Sequence, residues 1–448
     1  MDIAVFGLGK LGAPLAAVLA SKGHKVIGVD VNPALVATIN QGRMSVPEPG
    51  LQACLDAAKG RLSATTNFVE AVSNSDISFI IVPTPSGPDG MFNNRRVLDA
   101  VRQIGAALRT TTRYHVVNVT STVMPGSTGG EIRAALEATS GRSVGRDVGL
   151  TYNPEFIALG SVVRDLLNPD MLLIGESDSH AGDVLEAVYK LSVESNAPVQ
   201  RMNWVNAEIA KLSVNTFVTT KISYANMLAE LCEKLPGADV DVVTTALGKD
   251  SRIGSKYFKG ALGYGGPCFP RDNVAWAALA RSLGTSADIA EATDSINHRQ
   301  VERVVALARR LAPTDGTIAV LGLSYKPDTP VVEESQGVMI AGQLADAGFS
   351  VLVYDEMGLE AACAVLGDKV VPISDPTSAI RLADLMILAT PSRDFARIAP
   401  ETFMHGGKHR VIIDCWRVLP EVVAEYADVV YLGRGLPSSS GWNQTEQG

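Results

Sequence analysis

Short apolar runs alternate with helix-like stretches over the first 200 residues of the chain. The run IAVFG, from Ile3 to Gly7, is rich in β-branched residues and ends in glycine, which is typical of a buried parallel strand. The run APLAAVLASKG predicts a helix that ends at Gly23, and KVIGVD predicts a second strand. Further strands are predicted in ISFIIVPTP, YHVVNVTST and VGLTYNPEF. This alternation indicates a doubly wound α/β domain over residues 1–200.

The pattern changes near residue 200. Residues 206–234 contain neither Gly nor Pro and keep apolar residues at helical spacing, which predicts one long helix. The run PGADVDVVTTALGKD and the region from about Val274 to Leu311 also have helical patterns. Residues 201–313 are therefore expected to form a mostly helical central domain.

Alternating strands and helices return after the polar, turn-rich break APTDGT. Strands are predicted in IAVLGLSY, SVLVYDE, ADLMILATP and HRVIIDCWR, and a helix in GVMIAGQLADAGF. Residues 314–437 are thus expected to form a second α/β domain, and the aperiodic tail 438–448 is expected to be mobile. The expected fold class is α/β, with two doubly wound Rossmann-like domains joined by a mostly helical central domain with a long helix.

Composition narrows the classes of function. The chain has 448 residues and a net charge of −9, without a block of like charges, which argues against nucleic-acid binding. A disulfide framework or a zinc site is not expected, because the cysteines are scattered and odd in number. No signal peptide and no apolar run of about eighteen residues is recognised, so we expect a cytoplasmic protein without a membrane partner. The five cysteines are Cys54, Cys232, Cys268, Cys363 and Cys415.

The run GLGKLG follows the first predicted strand and opens the first helix. Its G-x-G-x-x-G spacing suits a tight turn against which a pyrophosphate can bind, and Asp30 ends the second strand, where an acid can bind ribose hydroxyls and repel a 2′-phosphate. The alternative is a tight turn with an unrelated surface aspartate. The motif predicts NAD rather than NADP as cofactor. The predicted contacts are Gly7, Gly9, Lys10, Leu11, Gly12 and Asp30.

Polar residues follow three other predicted strands. Thr84 and Thr122 lie where ligands gather in an open α/β sheet, so each hydroxyl could bind cofactor or a catalytic water, although a helix-capping role fits equally well. Glu155, in NPEF, has a comparable position, but a strand-end glutamate is usually a solvated surface group. On the long helix, Lys211 and Asn215 share one face, which is either a polar pair set for chemistry or a solvent-facing edge.

The run GALGYGGPCFPRD places Cys268 between Pro267 and Pro270, behind four glycines. A nucleophilic cysteine must be partly accessible, and neighbouring glycines leave room for a substrate carbon near the sulfur. Arg271 and Asp272 add a cation and a candidate base. The alternative is a buried cysteine in a turn, since cysteine is among the most buried residue types.

These motifs together resemble the UDP-glucose/GDP-mannose dehydrogenase family over nearly the whole chain. The matching runs are GLGKLG, VPTP, STVMPGST, NPEF, AKLSVNTF, GKDSRIG, GYGGPCFPRD and LGLSYKP. The resemblance implies a four-electron oxidation of the C6 alcohol of a nucleotide sugar to a carboxylate with two NAD+. It further implies a homodimer formed through the central domain and a C-terminal lobe that binds the nucleotide sugar.

The family pattern also implies individual roles. Cys268 traps the aldehyde stage as a thiohemiacetal, which becomes a thioester that water hydrolyses. Lys211, with Asn215, stabilises charge on the C6 oxygen or transfers a proton. Asp272 and Thr122 orient or activate water. Glu155 lies near the reacting centre. The remaining implied contacts are Thr84, Thr122 and Arg271 for the cofactor, and Glu155, Lys211, Asn215, Arg252, Tyr257, Gly265 and Lys326 for the sugar nucleotide.

Three positions depart from the family pattern: Leu159 replaces a second acid, Glu333 stands where relatives carry arginine, and DCWR replaces a glycine-containing turn. UDP-glucose is the first expected substrate, with GDP-mannose or a UDP-N-acetylhexosamine as alternatives. A catalytically silent sensor of NAD or nucleotide sugar is a second hypothesis, motivated by Leu159 and Glu333. A two-electron hydroxyacid or phosphogluconate-type dehydrogenase is a third, since it shares the first domain but needs no thiol.

Overall fold

The computed structural model describes residues 1–405 and 408–435. It divides into two compact units, Met1–Val214 and the chain from Asn215 onward. The predicted fold class is confirmed: a parallel-sheet Rossmann-like domain lies at each end of the chain, with helices between them. The expectation of a mobile tail at 438–448 concerns residues outside the described ranges.

The first unit is built on an eight-stranded sheet with the order β3-β2-β1-β4-β5-β6-β7-β8. Neighbouring strands are parallel except for β6 and β7, which pair antiparallel. The central strands are apolar on both faces because helices cover both sides of the sheet. The strands are β1 (Asp2–Phe6), β2 (Lys25–Val29), β3 (Leu62–Thr65), β4 (Ile77–Ile80), β5 (Val116–Val119), β6 (Gly149–Tyr152), β7 (Leu172–Glu176) and β8 (Val199–Met202).

Two apolar clusters fill the space between this sheet and its helices, one on each face. Several helix starts are fixed by side chains that accept backbone N–H groups, such as Asn32, Asn67 and Asp178. The helices are α1 (Gly12–Ser21), α2 (Pro33–Asn40), α3 (Leu51–Ala57), α4 (Phe68–Ser73), α5 (Arg95–Leu108), α6 (Arg133–Ser140), α7 (Val162–Leu167) and α8 (Ser179–Ser192), with a wide turn, Thr128–Ile132, leading into α6.

The predicted long helix is confirmed as α9 (Trp204–Glu233), and the boundary between the two units falls within it. The helical pattern predicted from about Val274 to Leu311 forms two helices, separated at residues 283–287. The helices after α9 are α10 (Val240–Gly248), α11 (Phe269–Ser282) and α12 (Asp288–Leu311).

The second unit also contains a six-stranded parallel sheet with the order β11-β10-β9-β12-β15-β16. A separate antiparallel pair joins β13 to β14. Its strands are β9 (Thr317–Leu321), β10 (Ser350–Tyr354), β11 (Val371–Pro372), β12 (Leu385–Leu388), β13 (Met404–His405), β14 (Lys408–His409), β15 (Val411–Asp414) and β16 (Asp428–Tyr431). Its further helices are α13 (Gln336–Asp346), α14 (Leu359–Leu366) and α15 (Pro376–Leu382), with 3₁₀ turns at Gly367–Lys369, Phe395–Arg397, Pro400–Phe403 and Glu421–Glu425.

Among the residues described, no helix combines the length and apolarity that crossing a bilayer requires. In the same residues, no group of three or more His, Cys, Asp or Glu side chains is arranged to hold a metal ion.

Candidate active site

The predicted cofactor and site residues of the first unit share one edge of its sheet. Asp30 follows β2, Gly7 follows β1, Thr84 follows β4, Thr122 follows β5, and Glu155 follows β6. These five strands are consecutive neighbours in the parallel part of the sheet, so their carboxyl ends line a single edge. The chain reverses its direction of strand addition between β1 and β4, which is where open α/β sheets bind ligands.

The glycine turn at this edge fits a dinucleotide. Gly7 has a φ of +96°, and a Cβ there would overlap the carbonyl oxygen of Ile81. A Cβ at Gly12 would overlap the Gly7 carbonyl oxygen, so this glycine lets α1 begin close to the strand. The space around Gly9 is open, since a Cβ there would meet no heavy atom of the described residues within 4 Å. A pyrophosphate can therefore approach the bare backbone at the start of α1.

Asp30 is fixed beside this turn. One carboxylate oxygen accepts the backbone N–H of Leu8 at 2.8 Å, and the other accepts that of Asn32 at 2.8 Å. The carboxylate retains acceptor capacity for ribose hydroxyls, while its charge disfavours a 2′-phosphate. Lys10 is exposed and Leu11 half-buried within the same turn.

The two threonines predicted at strand ends lie together. The Thr84 hydroxyl donates to the backbone carbonyl of Thr122 at 2.7 Å, and Thr84 is buried. This contact joins the segment after β4 to the segment after β5. The Thr84 hydroxyl thus bonds a neighbouring strand connection, and its predicted contact with cofactor stays a prediction.

Glu155 and Lys211 are neighbours within the first unit. The Lys211 ammonium donates to the backbone carbonyl of Glu155 at 2.6 Å and lies 4.8 Å from the ring centroid of Phe156. The Lys211 side chain is 7% exposed, so the alternative of a solvent-facing edge is wrong for this residue. A lysine kept away from water in this way is unusual outside functional sites.

The carboxyl group of Glu155 is held by a side chain of α8, and the residue as a whole is half-buried. The Tyr189 hydroxyl, on α8, lies 3.2 Å from this carboxyl and also within hydrogen-bond distance of the Asn153 side-chain oxygen, so its single proton is shared between two acceptors. Burial raises the pKa of Glu155 to about 7, and it outweighs the opposing effects of the Tyr189 hydrogen bond and the Lys211 charge. A carboxyl group with such a pKa can exchange protons near neutral pH.

In the second unit, Cys268 lies at the N-cap position of α11, and its side chain is exposed. The alternative of a buried cysteine in a turn is therefore wrong. Pro270 lies in the first turn of the helix, where the missing N–H costs nothing. The positive end of the helix dipole favours a thiolate at this position.

Three glycines of the cysteine loop pack so closely against other protein atoms that a side chain would not fit. A Cβ at Gly260 would overlap the Ala225 carbonyl oxygen, and one at Gly265 would overlap that of Glu334. A Cβ at Gly266, which has a φ of +83°, would lie 2.6 Å from the ring of Tyr325. Packing against other protein groups therefore excludes larger residues here, whether or not substrate also needs the room.

Asp272 and Asn215 are in contact. Asp272 is 1% exposed, and one of its carboxylate oxygens accepts the Asn215 amide at 2.6 Å. The backbone N–H of Asp272 bonds the carbonyl of Cys268 at 2.9 Å, so the carboxylate lies one helical turn from the thiol. Arg271 Nε lies 3.8 Å from the other Asp272 oxygen.

Aromatic rings surround the cysteine loop. The ring of Phe269 makes edge contacts with those of Tyr257 and Tyr264, each at 6.2 Å between centroids. Burial raises the pKa of Tyr325 to about 12, and the neighbouring Cys268 and Tyr257 act in the same direction. Tyr257 has a φ of +58°, which is costly for a bulky residue and typical of functional positions.

The structure brings Lys326 near this loop but not Arg252. Lys326 follows Tyr325, whose ring packs on Gly266, and it also lines a cavity of about 460 Å³ at the carboxyl edge of β9, β10 and β12. Arg252 is exposed and bonds Asp250 two residues earlier at 2.6 Å. Its predicted contact with substrate stays a prediction.

The second unit contains a glycine turn like that of the first, but the aspartate beside it makes more hydrogen bonds to the protein. Gly322 has a φ of +100°, and a Cβ at Gly337 would overlap the Gly322 carbonyl oxygen. Asp355, after β10, matches Asp30 but accepts five hydrogen bonds from the protein. The spacing from Gly322 to Gly337 is ten residues longer than the spacing from Gly7 to Gly12. The Asp355 carboxylate is therefore engaged by the protein, although Gly322 and Asp355 both line the cavity of about 460 Å³.

Sequence reasoning missed several residues around the site. Glu208, on α9, is fully buried and accepts the N–H groups of Gly126 and Thr128 at 2.6 and 2.8 Å, which fixes the loop after β5. Tyr325 was missed because nothing in its local sequence indicates contact with a distant glycine loop. A further group of missed residues consists of the buried amides Asn226, Asn297 and Gln336.

The three positions that depart from the family pattern lie in different surroundings. Leu159 packs partly buried against the apolar core of the first unit. Glu333 has an exposed side chain, and its backbone carbonyl accepts the N–H of Gly266 at 2.9 Å. Arg417, in DCWR, has a φ of +55° and bonds both carboxylate oxygens of Asp241 at 2.6 and 3.0 Å.

Comparisons with known proteins agree with this geometry. UDP-glucose 6-dehydrogenase AglM of Haloferax volcanii is 34% identical over 94% of this chain and 97% of its own. GDP-mannose 6-dehydrogenase of Pseudomonas putida is 37% identical over 80% of this chain and 81% of its own. The solved structure of a UDP-glucose dehydrogenase from Pyrobaculum islandicum superposes with a TM-score of 0.87 at 36% identity, covering 96% of each chain.

The bare glycine turn, Asp30 and the parallel sheet define an NAD-dependent oxidoreductase. Three family models match the chain in order: the NAD binding domain of the UDP-glucose/GDP-mannose dehydrogenase family at residues 1–193, its central domain at 205–299 and its UDP binding domain at 319–421. The chain belongs to the UDP-glucose/GDP-mannose dehydrogenase family. It is an NAD-dependent dehydrogenase of a nucleotide sugar.

Proposed function

We propose that the protein oxidises the C6 alcohol of UDP-glucose to the carboxylate, giving UDP-glucuronate. The observation that carries this proposal is the exposed Cys268 thiol at the start of α11, one turn from the buried Asp272–Asn215 pair. UDP-glucose is favoured because the Haloferax and Pyrobaculum relatives are similar over nearly the whole chain. A two-electron dehydrogenase would not need this thiol.

The reaction divides between an alcohol stage and an aldehyde stage. When bound at the glycine turn, NAD+ supplies the hydride acceptor. In the alcohol stage, C6 loses a hydride and its hydroxyl loses a proton, which Glu155 can accept because its pKa is about 7. Lys211, buried beside Glu155, is the cation available to stabilise negative charge on the C6 oxygen.

In the aldehyde stage, the Cys268 thiolate adds to C6, and the resulting thiohemiacetal loses a second hydride to give a thioester. Water then attacks C6, the carbon–sulfur bond breaks, and the thiol is regenerated with the carboxylate product. Asp272 is the carboxylate next to the thiol that can orient or deprotonate this water, and Asn215 holds it in place. The role of Thr122 in activating water stays a prediction.

The test is NADH stoichiometry on a panel of nucleotide sugars. Purified protein should produce two NADH per UDP-glucose consumed, and Cys268→Ala should abolish the second. Serine at the thiol position should form an oxygen ester that accumulates instead of turning over. A single NADH per sugar in the unaltered protein, or no activity on any UDP- or GDP-hexose, would overturn the proposal.

GDP-mannose is the second candidate substrate, because the Pseudomonas putida relative is the more identical of the two over the part it matches. The same panel separates the two sugars through kcat/KM. A UDP-N-acetylhexosamine is included as a third arm. A silent sensor would instead show ligand-dependent thermal stabilisation without NADH formation.

We also propose a homodimer formed through α9. Phe217, Tyr224 and Leu231 repeat every seven residues on this helix and are 67%, 49% and 55% exposed. Large apolar side chains in such a stripe are typical of helix–helix interfaces. Replacing Phe217 and Leu231 with lysine should give monomers in sedimentation; persistence of the dimer would contradict this interface. The cytoplasmic location stays a prediction.

A further inference from the structure

The cysteine loop is almost wholly buried from Gly260 to Gly266 but belongs to no helix or strand. Buried backbone N–H and carbonyl groups outside regular structure need other partners, because leaving them unpaired costs free energy. Here the partners are mainly the side-chain amides of three helices. The helices that carry these amides therefore help fix the loop, together with the glycines that let it pack closely.

The first anchor is Asn226, on α9. Its amide nitrogen donates to the carbonyl of Leu262 at 3.1 Å, and its amide oxygen accepts the N–H of Ala261 at 2.8 Å. The residue is fully buried, so water does not replace either bond. One side chain thus satisfies two consecutive residues of the loop.

The second anchor is Asn297, on α12. Its amide oxygen accepts the Tyr264 N–H at 2.7 Å, and its amide nitrogen donates to the Tyr264 carbonyl at 3.0 Å. This pairing resembles that of a neighbouring strand, although only one side chain supplies it. Gln336, on α13, adds an acceptor for the N–H of Gly263 at 3.2 Å.

Asn226 belongs to a polar stripe on α9 that consists of Asn215, Thr219, Ser223 and Asn226. The spacing of four, four and three residues places them on one face of the helix. Asn215 bonds Asp272, and Thr219 bonds Asn273. Three members of the stripe therefore hold the chain near Cys268, Asn226 before it and Asn215 and Thr219 after it, whereas Ser223 bonds Thr293 instead.

We propose that Asn226 and Asn297 are positioning residues that fix the Cys268 thiol for the aldehyde stage. This inference rests on the proposed function. The last loop residue that these amides hold, Tyr264, lies four residues before Cys268, so movement of the anchored segment is passed along a short chain to the sulfur. A reacting atom displaced by about 1 Å can lose about a hundredfold in rate.

The proposal predicts an unequal effect on the two stages. Loss of the hydride from the C6 alcohol requires no bond to sulfur, whereas formation of the thioester requires the thiol to reach C6. In Asn226→Ala and Asn297→Ala, the aldehyde stage should slow about a hundredfold. Aldehyde should then escape, and the NADH formed per sugar should fall from two towards one. A merely destabilised protein would have fewer active molecules but would still form two.

The experiment measures NADH per UDP-glucose, aldehyde captured by hydroxylamine, and hydrogen exchange of the peptide that covers the loop. Ser223→Ala and Gln300→Ala are the matched controls. Both residues are buried polar groups on the same two helices, but they bond Thr293 and Glu230 instead of the loop. If Asn297→Ala fails to fold, Asn297→Asp keeps the shape of the side chain but replaces the donor to the Tyr264 carbonyl with a carboxylate oxygen.

Loop exchange should be at least about tenfold faster in both asparagine variants and unchanged in the controls. Faster exchange with two NADH still formed, and no aldehyde captured, would overturn the positioning role. Unchanged exchange would overturn the anchoring itself. If the unaltered protein fails to form two NADH, the proposed function falls, while the exchange measurement still decides whether the amides anchor the loop.

Discussion

The carboxyl group of Glu155 should remain half protonated near neutral pH. Burial raises its pKa from 4.5 to about 7. At about 1.4 kcal/mol per pKa unit, this shift corresponds to about 3 kcal/mol. Because the folded pKa is the higher one, the folded chain binds the extra proton between these two values. The contribution to the free energy of unfolding is therefore complete below pH 4.5, falls as the pH rises towards about 7, and is lost above it.

Glu155→Gln tests this reasoning, since the amide keeps an acceptor for the Tyr189 hydroxyl but cannot ionise. The infrared band of the protonated carboxyl, taken as the difference between wild type and variant, should lose half its intensity near pH 7. It should retain about nine-tenths near pH 6. The rising limb of kcat/KM near pH 7 should disappear in the variant, as expected for the loss of a general base.

The control for this measurement is Glu70→Gln, which changes an exposed carboxyl on α4. It should leave both the band and the pH profile unchanged. Complete loss of the wild-type band by about pH 5 would show that the Glu155 carboxyl is solvated, and the interior environment inferred for it would be refuted. If the band titrates near pH 7 but the pH dependence of kcat/KM is the same in wild type and variant, then Glu155 has the raised pKa but is not the general base.

Three other predictions follow from single contacts. Arg417→Met removes a guanidinium that is 1% exposed and strands a partly exposed Asp241. It should cost about 3 kcal/mol, visible as a lower Tm, and an unchanged Tm would contradict the pairing. Gly7→Ala should weaken NAD binding at least about tenfold by calorimetry, because its Cβ overlaps backbone, whereas Gly60→Ala, in open space, should not. Equilibrium dialysis should give one NAD bound per chain, because backbone N–H groups already bond the Asp355 carboxylate in the glycine turn of the second unit. Two NAD bound per chain would refute this prediction.

The sequence predicted the central strands of the first sheet because β1, β4 and β5 are buried on both faces and read as continuous apolar runs. It did not predict β7 or β8. The β8 sequence is VQRM, which lies at an edge of the sheet, contains two polar residues and has no buried residue. The antiparallel pairing of β6 with β7 was also missed, since no local pattern states which neighbour a strand will take or in which direction.

The candidate site was predictable where chemistry depends on local spacing, as in the glycine turn at Gly7 and the loop that ends at Cys268. The environment of each group was not. Helical periodicity did not decide whether the Lys211 side chain faces solvent or the interior, because α9 contacts protein on more than one face. The loop anchors Asn226 and Asn297 lie 42 and 29 residues from Cys268 in the chain, so their partners depend on tertiary structure alone.

The amides that hold the cysteine loop carry no charge and do not titrate in the range where proteins fold. Acid, base and added salt therefore act weakly on these amide bonds, whereas the Arg417 guanidinium that donates to the Gly260 carbonyl belongs to an ion pair with Asp241. The pH response of the sulfur chemistry can then be assigned to the reacting groups themselves, because the framework that presents them is the same on both sides of neutrality.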